Sequence, residues 1–503
     1  MDRMALLDWI VIGVYGAAVL GIGWWANRRQ TSSEAYFLGG RSLPWWAVGV
    51  SLIATSFSSA SLIGGTGWGF ANGLGYLQLQ IGDLLAIGVV ALVFLPFFAG
   101  LGITTAYEYL ERRFGALARS LGSLLFMAQT LLRTSLLIYA PALALSTLLG
   151  WDLTTAIVVT AVAAIVYSVF GGISAVVWTD LIQFGVILVS VAMCLWIVVS
   201  DVPGGLSAVL DHAAEAEQLE PVSVEWNPRS PFNLAGSILA YGILALSLFG
   251  TGQQAVQRFL ACEDVRAARR AAFTGWAAGA IAVGACLFLG VCLSAWVELA
   301  PNGTPLGAKA DQVLPAFVGA RLPAGAAGLL LAAIFAAAMS SIDSAIHSIS
   351  TCTIVDFVVR YSKNPPDDRG RLRAARWVTA LVGVVSIGGA LLAAEGDKSL
   401  LDTMIKWLGY VAGPLLGLFL LGMLTRRATQ VGALLGVLAA ATGIAIAVLG
   451  TDAFNLKTEA AWHPLWLAPA SALATFVLGW TASWLTRSPS DEDLRGLTIW
   501  TRS

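Results

Sequence analysis

The stretch Ala54-Thr55-Ser56-Phe57-Ser58-Ser59-Ala60-Ser61, followed by Gly64-Gly65-Thr66-Gly67, decides the fold. It lies within 44–70, an apolar segment long enough to cross a bilayer. Five hydroxyl residues in eight, then three glycines, make a poor lipid-facing helix. Hydrocarbon cannot satisfy free backbone groups, so a helix that breaks at membrane depth must line a space enclosed by protein. A second segment, 232–255, carries Gly236, Gly242, Gly250 and Gly252. It holds the same place in a second set of five apolar segments as 44–70 holds in the first. Such pairing is the mark of an inverted-repeat architecture with a binding site near the bilayer midplane. The plainer alternative is close helix packing, which also favours glycine and serine.

Composition agrees with a membrane solvent. Of 503 residues, 57% are hydrophobic and 12% charged, and the mean hydropathy is +0.78. Soluble domains carry about 25% charged residues. The net charge of −1 gives no case for a nucleic-acid partner. Apolar runs near the required length recur at 5–26, 44–70, 76–100, 117–149, 152–170, 175–200, 232–255, 271–298, 323–357, 377–395, 400–424, 428–449 and 464–486. The expectation is an all-α, multi-pass membrane protein of about thirteen transmembrane helices. The spans 117–149 and 323–357 exceed one bilayer thickness, so they must tilt or run on into a loop.

Arg28, Arg29 and Arg41 sit in the first loop, and Arg112 and Arg113 two loops later. Arg258, Arg266, Arg269 and Arg270 follow, then Arg360, Lys363, Arg369, Arg371 and Arg373, then Arg426, Arg427, Arg487 and Arg495. Every second loop is basic and therefore cytoplasmic, which puts the N-terminus outside and the C-terminus inside. Cys194, Cys262, Cys286, Cys292 and Cys352 lie in or beside apolar segments and read as packing residues.

A few polar groups do not belong in lipid. Arg133, in Leu131-Leu132-Arg133-Thr134-Ser135-Leu136, is midway along an apolar span. An arginine there costs at least ~2.5–3.5 kcal/mol, so it holds either a substrate carboxylate or an internal ion pair. Asp180 begins a helix, where a carboxylate either caps the dipole or binds a cation. In 337–348, residues Ala337, Ser340, Ser341, Ser344, His347 and Ser348 share one small, polar helix face. Hydroxyl and carbonyl oxygens on such a face suit a hard cation such as sodium. Asp343 and His347, four apart, are placed to pair; a proton-coupling role for His347 is the alternative.

The chain resembles the sodium:solute symporter family from about residue 5 to 490. The likeness rests on Phe37-Leu38-Gly39-Gly40-Arg41-Ser42-Leu43-Pro44-Trp45-Trp46, on Gly171-Gly172-Ile173 with Trp178-Thr179-Asp180, on Gln254-Ala255-Val256-Gln257-Arg258-Phe259-Leu260-Ala261 and on Ser340-Ser341. The resemblance implies a leucine-transporter-like fold of two inverted five-helix repeats. These would be 44–200 and 232–424, with a leading helix at 5–26, two trailing helices at 428–486 and a cytoplasmic tail at 487–503. It implies a principal sodium site at Ala54, Phe57, Ala337, Ser340 and Ser341. It also implies a second sodium site at Asp180, Ser340, Asp343 and Ser344, although similar carriers have serine at position 343. A likeness to bacterial sialic acid carriers implies a substrate pocket of Ser56, Ser58, Ser61, Gln80 and Arg133. Gln129-Thr130-Leu131-Leu132-Arg133-Thr134 also resembles the monocarboxylate and vitamin branch. Ala60-Ser61 stands where sugar carriers have a Glu-Gln pair, which argues against a galactose- or glucose-type pocket.

The function expected is sodium-coupled symport of a small organic anion across the cell membrane, with a sialic acid or related carboxylate as leading substrate. The rivals are a carrier of a neutral sugar, polyol or amino acid, and a membrane sensor that binds its solute without moving it. No nucleophile–base set or metal cluster supports an enzyme.

Overall fold

The computed structural model describes residues 5–27, 32–301, 303, 312–394, 400–453 and 462–501. Arg28, Arg29 and the last residue of the predicted span 377–395 lie outside them. Helices occupy the place of every predicted segment. They are α1 (Leu6–Asn27), α2 (Trp45–Ser56), α3 (Ser59–Asn72), α4 (Leu79–Val89), α5 (Ala116–Leu149), α6 (Leu153–Asp201), α7 (Gly242–Gly250), α8 (Gln253–Leu260), α9 (Val265–Leu299), α10 (Ala326–Cys352), α11 (Asp368–Ala394), α12 (Leu400–Leu424), α13 (Gln430–Ala453) and α14 (Leu467–Ala482). Among the described residues, eight helices are long and apolar enough to cross a membrane, or nine if one bent pair counts as a span. Four shorter apolar helices accompany them.

Both suspected breaks exist. The first falls between α2 and α3, where Phe57 takes φ −85° and ψ 98°. The second falls between α7 and α8, whose axes differ by 52°. A third bend divides α6 at Gly172, with φ 57° and ψ 177°, a conformation that glycine reaches without a Cβ clash. That bend separates the predicted spans 152–170 and 175–200.

Glycines set how closely the helices approach. A Cβ on Gly69 of α3 would lie 2.1 Å from the Leu287 carbonyl of α9. One on Gly290 of α9 would lie 2.1 Å from the Thr66 carbonyl of α3. The second broken helix repeats the device. A Cβ on Gly82 of α4 would lie 2.0 Å from the Ser237 carbonyl. Thus the first broken helix crosses the helix after the second, and the second broken helix crosses the helix after the first. Reciprocal crossings of this kind are what two interlocked repeats produce.

At the basic end, Arg119 pairs with Glu111 at 2.6 Å and with Asp356 at 2.7 Å. Arg360 also pairs with Glu111, and Thr105 and Ser123 donate to Asp356. Partial burial would raise the Glu111 carboxyl, but hydrogen bonds and charge from Arg119 and Arg360 hold it below its ordinary value. One expectation needs correction here. Arg258 is not in a basic loop: it is 0% exposed on α8. The segment expected as a tail, 487–503, packs against the helices over its described part. Leu494 and Thr498 are buried, Ile499 N–H donates to the Met423 carbonyl at 3.0 Å, and Trp500 Nε1 donates to the Leu424 carbonyl at 2.7 Å. Both segments find backbone or charge partners that extended chain in water would not have.

If the α3–α9 crossing holds the repeats together, Gly69→Ala is expected to destabilise by about 1–3 kcal/mol through overpacking. Gly16→Ala, with nothing within 4 Å of its Cβ, is expected to be neutral. Thermal unfolding of the two purified variants, read against wild type, checks this.

Candidate functional site

The break between α2 and α3 leaves carbonyls without their helical partners. The Ser58 N–H, which would have taken the Ala54 carbonyl, donates instead to Ser61 Oγ at 3.2 Å. Ser58 and Ser61 form a reciprocal cap that starts α3. The stranded carbonyls turn to α10. Ser340 Oγ donates to the Ala54 carbonyl at 2.9 Å, and Ser341 Oγ donates to the Thr55 carbonyl at 2.9 Å. Both hydroxyls also approach the Ala337 carbonyl, at 3.2 and 3.3 Å. Ala54, Ala337, Ser340 and Ser341 are therefore brought together, with Phe57 at the turn itself. All five are buried. Neutral carbonyl and hydroxyl oxygens in a dry site are a donor set for a hard monovalent cation.

The second break is closed in the same manner. Tyr107 Oη donates to the Thr251 carbonyl at 3.2 Å, and the Gln253 side chain bridges Ala106 N–H and the Thr104 carbonyl at 2.9 and 3.0 Å.

Asp180 lies on the α6 side of α2 and α10, one helical turn inward of the Ser340 group. Its Oδ2 accepts from Ser51 Oγ at 2.5 Å and from Arg258 Nη2 at 3.1 Å. Arg258 also donates from Nε to Ser51 Oγ at 2.8 Å, from Nη2 to Ser344 Oγ at 2.5 Å and from Nη1 to the Gln254 carbonyl at 3.0 Å. One guanidinium thus ties α8 to α2, α6 and α10. Asp180 Oδ1 and both polar atoms of Gln183, one turn further along, are buried without a hydrogen-bond partner. Asp343 accepts from Ser344 Oγ at 3.2 Å. His347 faces Gln257 Nε2 at 3.4 Å and stacks near Tyr36, with ring centroids 5.1 Å apart. The contacts described for His347 are with Gln257, Tyr36 and Phe37.

The polar residues expected to form the substrate pocket are less buried. Ser56, Ser61, Gln80 and Arg133 are each half-buried, while Ser58 is buried. Arg133 Nε has no hydrogen-bond partner, and among the described residues Arg133 makes no ion pair. Asp83 and Tyr241 escaped the reading of the sequence. A lone carboxylate in the span 76–100 was the available signal for Asp83. Arg258, Ser51 and Gln183 also escaped it. They look like an ordinary loop arginine and ordinary helix polar residues until the helices are packed.

Broken helices, crossed repeats and an enclosed oxygen cluster define a membrane carrier rather than an enzyme. The sodium:solute symporter family model matches residues 36–440, and the chain belongs to that family. It is a sodium-coupled solute symporter. It is 33% identical over 459 residues to the sodium/sialic acid symporter of Proteus mirabilis, covering 90% of this chain and 91% of that one. It is 31% identical to the sodium-coupled monocarboxylate transporter 1 of Mus musculus, covering 86% of this chain and 70% of that one. Its fold matches the substrate-bound, outward-open structure of a sodium-coupled sialic acid symporter with TM-score 0.87 and 29% identity, covering 97% and 99% of the two chains.

Removing one member of a buried ion pair strands the other. Asp180→Ala is expected to destabilise by about 3–5 kcal/mol. Adding Arg258→Met is expected to recover a large part of that loss. A thermal-unfolding double-mutant cycle measures the coupling, and additive losses would mean that the pair contributes nothing beyond its separate contacts.

Proposed function

We propose that the chain imports a small organic anion together with sodium, with a sialic acid or related carboxylate as the leading substrate. The observation that carries this is Arg133. It sits at membrane depth, half-buried, with no ion pair among the described residues. An arginine in such surroundings gains most from a bidentate carboxylate. Ser56, Ser58, Ser61 and Gln80 would complete the pocket with hydroxyl and amide groups. The names of the relatives above support the same class of solute.

Sodium would bind at Ala54, Phe57, Ala337, Ser340 and Ser341, drawing the stranded carbonyls and the serine hydroxyls onto one ion. Because the site joins α2 to α10, an ion there stabilises the conformation in which these helices meet and the outer pocket is complete. Coupling is then the difference in affinity of ion and solute for two conformations. A second ion at Asp180, Ser340, Asp343 and Ser344 would require the Arg258 guanidinium to withdraw, since it occupies Asp180 Oδ2 and Ser344 Oγ. The repeats would run 44–200 and 232–424, with 5–26 and 428–486 flanking them, in a cell membrane with the N-terminus outside.

In proteoliposomes, uptake is expected to need a sodium gradient, and Ser340→Ala to raise the sodium concentration at half-maximal rate. Equal uptake driven by protons in sodium-free buffer would sink the proposal. If Asp180 also holds an ion, Asp180→Asn lowers the sodium Hill coefficient. For the solute, Arg133→Ala is expected to abolish calorimetric binding of the acid, with the melting temperature little changed. Arg133→Lys is not expected to rescue it, because a point charge cannot make the forked contact. Wild type binding the acid and its methyl ester equally well would instead favour a neutral sugar or polyol.

A further inference from the structure

A helix leaves its last four carbonyls without amide partners. In α12, which stops at Leu424, these are the carbonyls of Leu421, Gly422, Met423 and Leu424. Each has found a donor. Thr425 Oγ1 donates to the Leu421 carbonyl at 2.6 Å, from the same helix end. Arg113, on the short helix Tyr107–Phe114, donates from Nε to the Gly422 carbonyl at 3.2 Å. The other two donors come from 76 residues further along the chain. The Ile499 N–H reaches the Met423 carbonyl at 3.0 Å, and Trp500 Nε1 reaches the Leu424 carbonyl at 2.7 Å.

The segment that brings them is folded on itself. Gly496, at φ 73°, turns the chain so that its N–H meets the Thr501 carbonyl at 3.2 Å, and the Leu497 N–H meets the Leu494 carbonyl at 2.9 Å. Leu494 and Thr498 are buried beneath it. Its other face touches the short helix: Tyr109 Oη donates to the Leu497 carbonyl at 3.1 Å. A Cβ on Gly422 would lie 2.6 Å from that phenol oxygen, so glycine leaves the phenol room against α12. Behind it, Tyr109 and Tyr107 pack on Phe419 of α12, with ring centroids 5.7 and 6.2 Å apart. Residues 494–501 therefore bridge both sides of one seam, between the short helix and α12.

We propose that residues 494–501 are a releasable clasp on this seam, and that its release lets α12 swing from the short helix and opens the basic end of the carrier. A carrier that works by alternating access must open each end in turn. Arg113 is the permanent joint: it is buried and also donates to the Thr425 and Ala428 carbonyls, at 3.0 Å each. The clasp is held by fewer and more accessible bonds. Trp500 is 59% exposed, and its partner is a helix-end carbonyl that water can take over.

The protein carries its own reporters. All five cysteines are buried. Cys352 belongs to the apolar cluster that holds Tyr107, Tyr109 and Phe419, whereas Cys194, Cys286 and Cys292 belong to another. The test is labelling of the purified full-length protein with N-ethylmaleimide, resolved by peptide mass spectrometry. It is run in sodium-free buffer well below the melting temperature, so it depends on neither the proposed ion site nor the solute. Trp500→Phe, which removes one hydrogen bond and keeps a ring, is expected to label Cys352 about fivefold faster. Cys194, Cys286 and Cys292 are expected to keep their wild-type rates. Tyr109→Phe is expected to act in the same direction, and it decides the matter if Trp500→Phe does not fold. A uniform rise at all the cysteines marks general loosening and overturns the clasp. Unchanged labelling of Cys352 in folded variants overturns it as well.

Discussion

Two carbonyl groups govern much of this molecule. When α2 ends at Ser56, the carbonyls of Ala54 and Thr55 lose the amides that would have continued the helix, and lipid offers no replacement. Ser340 and Ser341 supply it at 2.9 Å each. For those hydroxyls to reach, α10 must lie against the break with almost no side chain between. Its sequence there is Ala336-Ala337-Ala338-Met339-Ser340-Ser341, and the helix is buried over nearly its whole length. The glycine crossings of α3 on α9 serve the same end, because a wider spacing would open the break to lipid. The proposed sodium site falls where the chain has already gathered oxygens to solve its own hydrogen-bonding problem.

The charged residues divide by whether the protein satisfies them. Arg258 is fully buried and spends its donors on Asp180, Ser51, Ser344 and a backbone carbonyl. It joins four helices and would be expensive to leave unpaired, so it acts as a latch across elements that carry the proposed ion sites. Arg113 is similar, donating to the carbonyls of Gly422, Thr425 and Ala428. Arg133 is an exception: among the described residues it makes no ion pair, and its Nε has no hydrogen-bond partner. A charged group left without an ionic partner at membrane depth is costly unless a solute or water meets it.

The two ends of the molecule differ as well. At the basic end, the Arg119, Glu111, Asp356 and Arg360 network, together with the returning segment at 494–501, packs the helices into contact. Away from that end, Ser56, Ser61, Gln80, Asp83, Arg133 and Tyr241 retain partial exposure.

Hydropathy and glycine placement determined the helices, both breaks and the existence of a repeat, because the membrane allows so few backbone solutions that composition alone reveals them. Ala337, Ser340 and Ser341 were also legible, since they share a face by helical periodicity alone. What sequence could not give was partnership across helices. Arg258 reads as one more basic loop residue, and only the 52° turn after Gly250 carries it inward to Asp180. The i, i+4 spacing could offer His347 only Asp343 as a partner; its contacts with Gln257 and Tyr36 come from tertiary packing. Asp83 is a single carboxylate in an apolar run, and its hydrogen-bond partner Tyr241 comes from a segment 158 residues away. Periodicity reports which face of a helix a residue occupies; which other face it meets is a property of the packed bundle, and the chemistry of this site resides in those meetings.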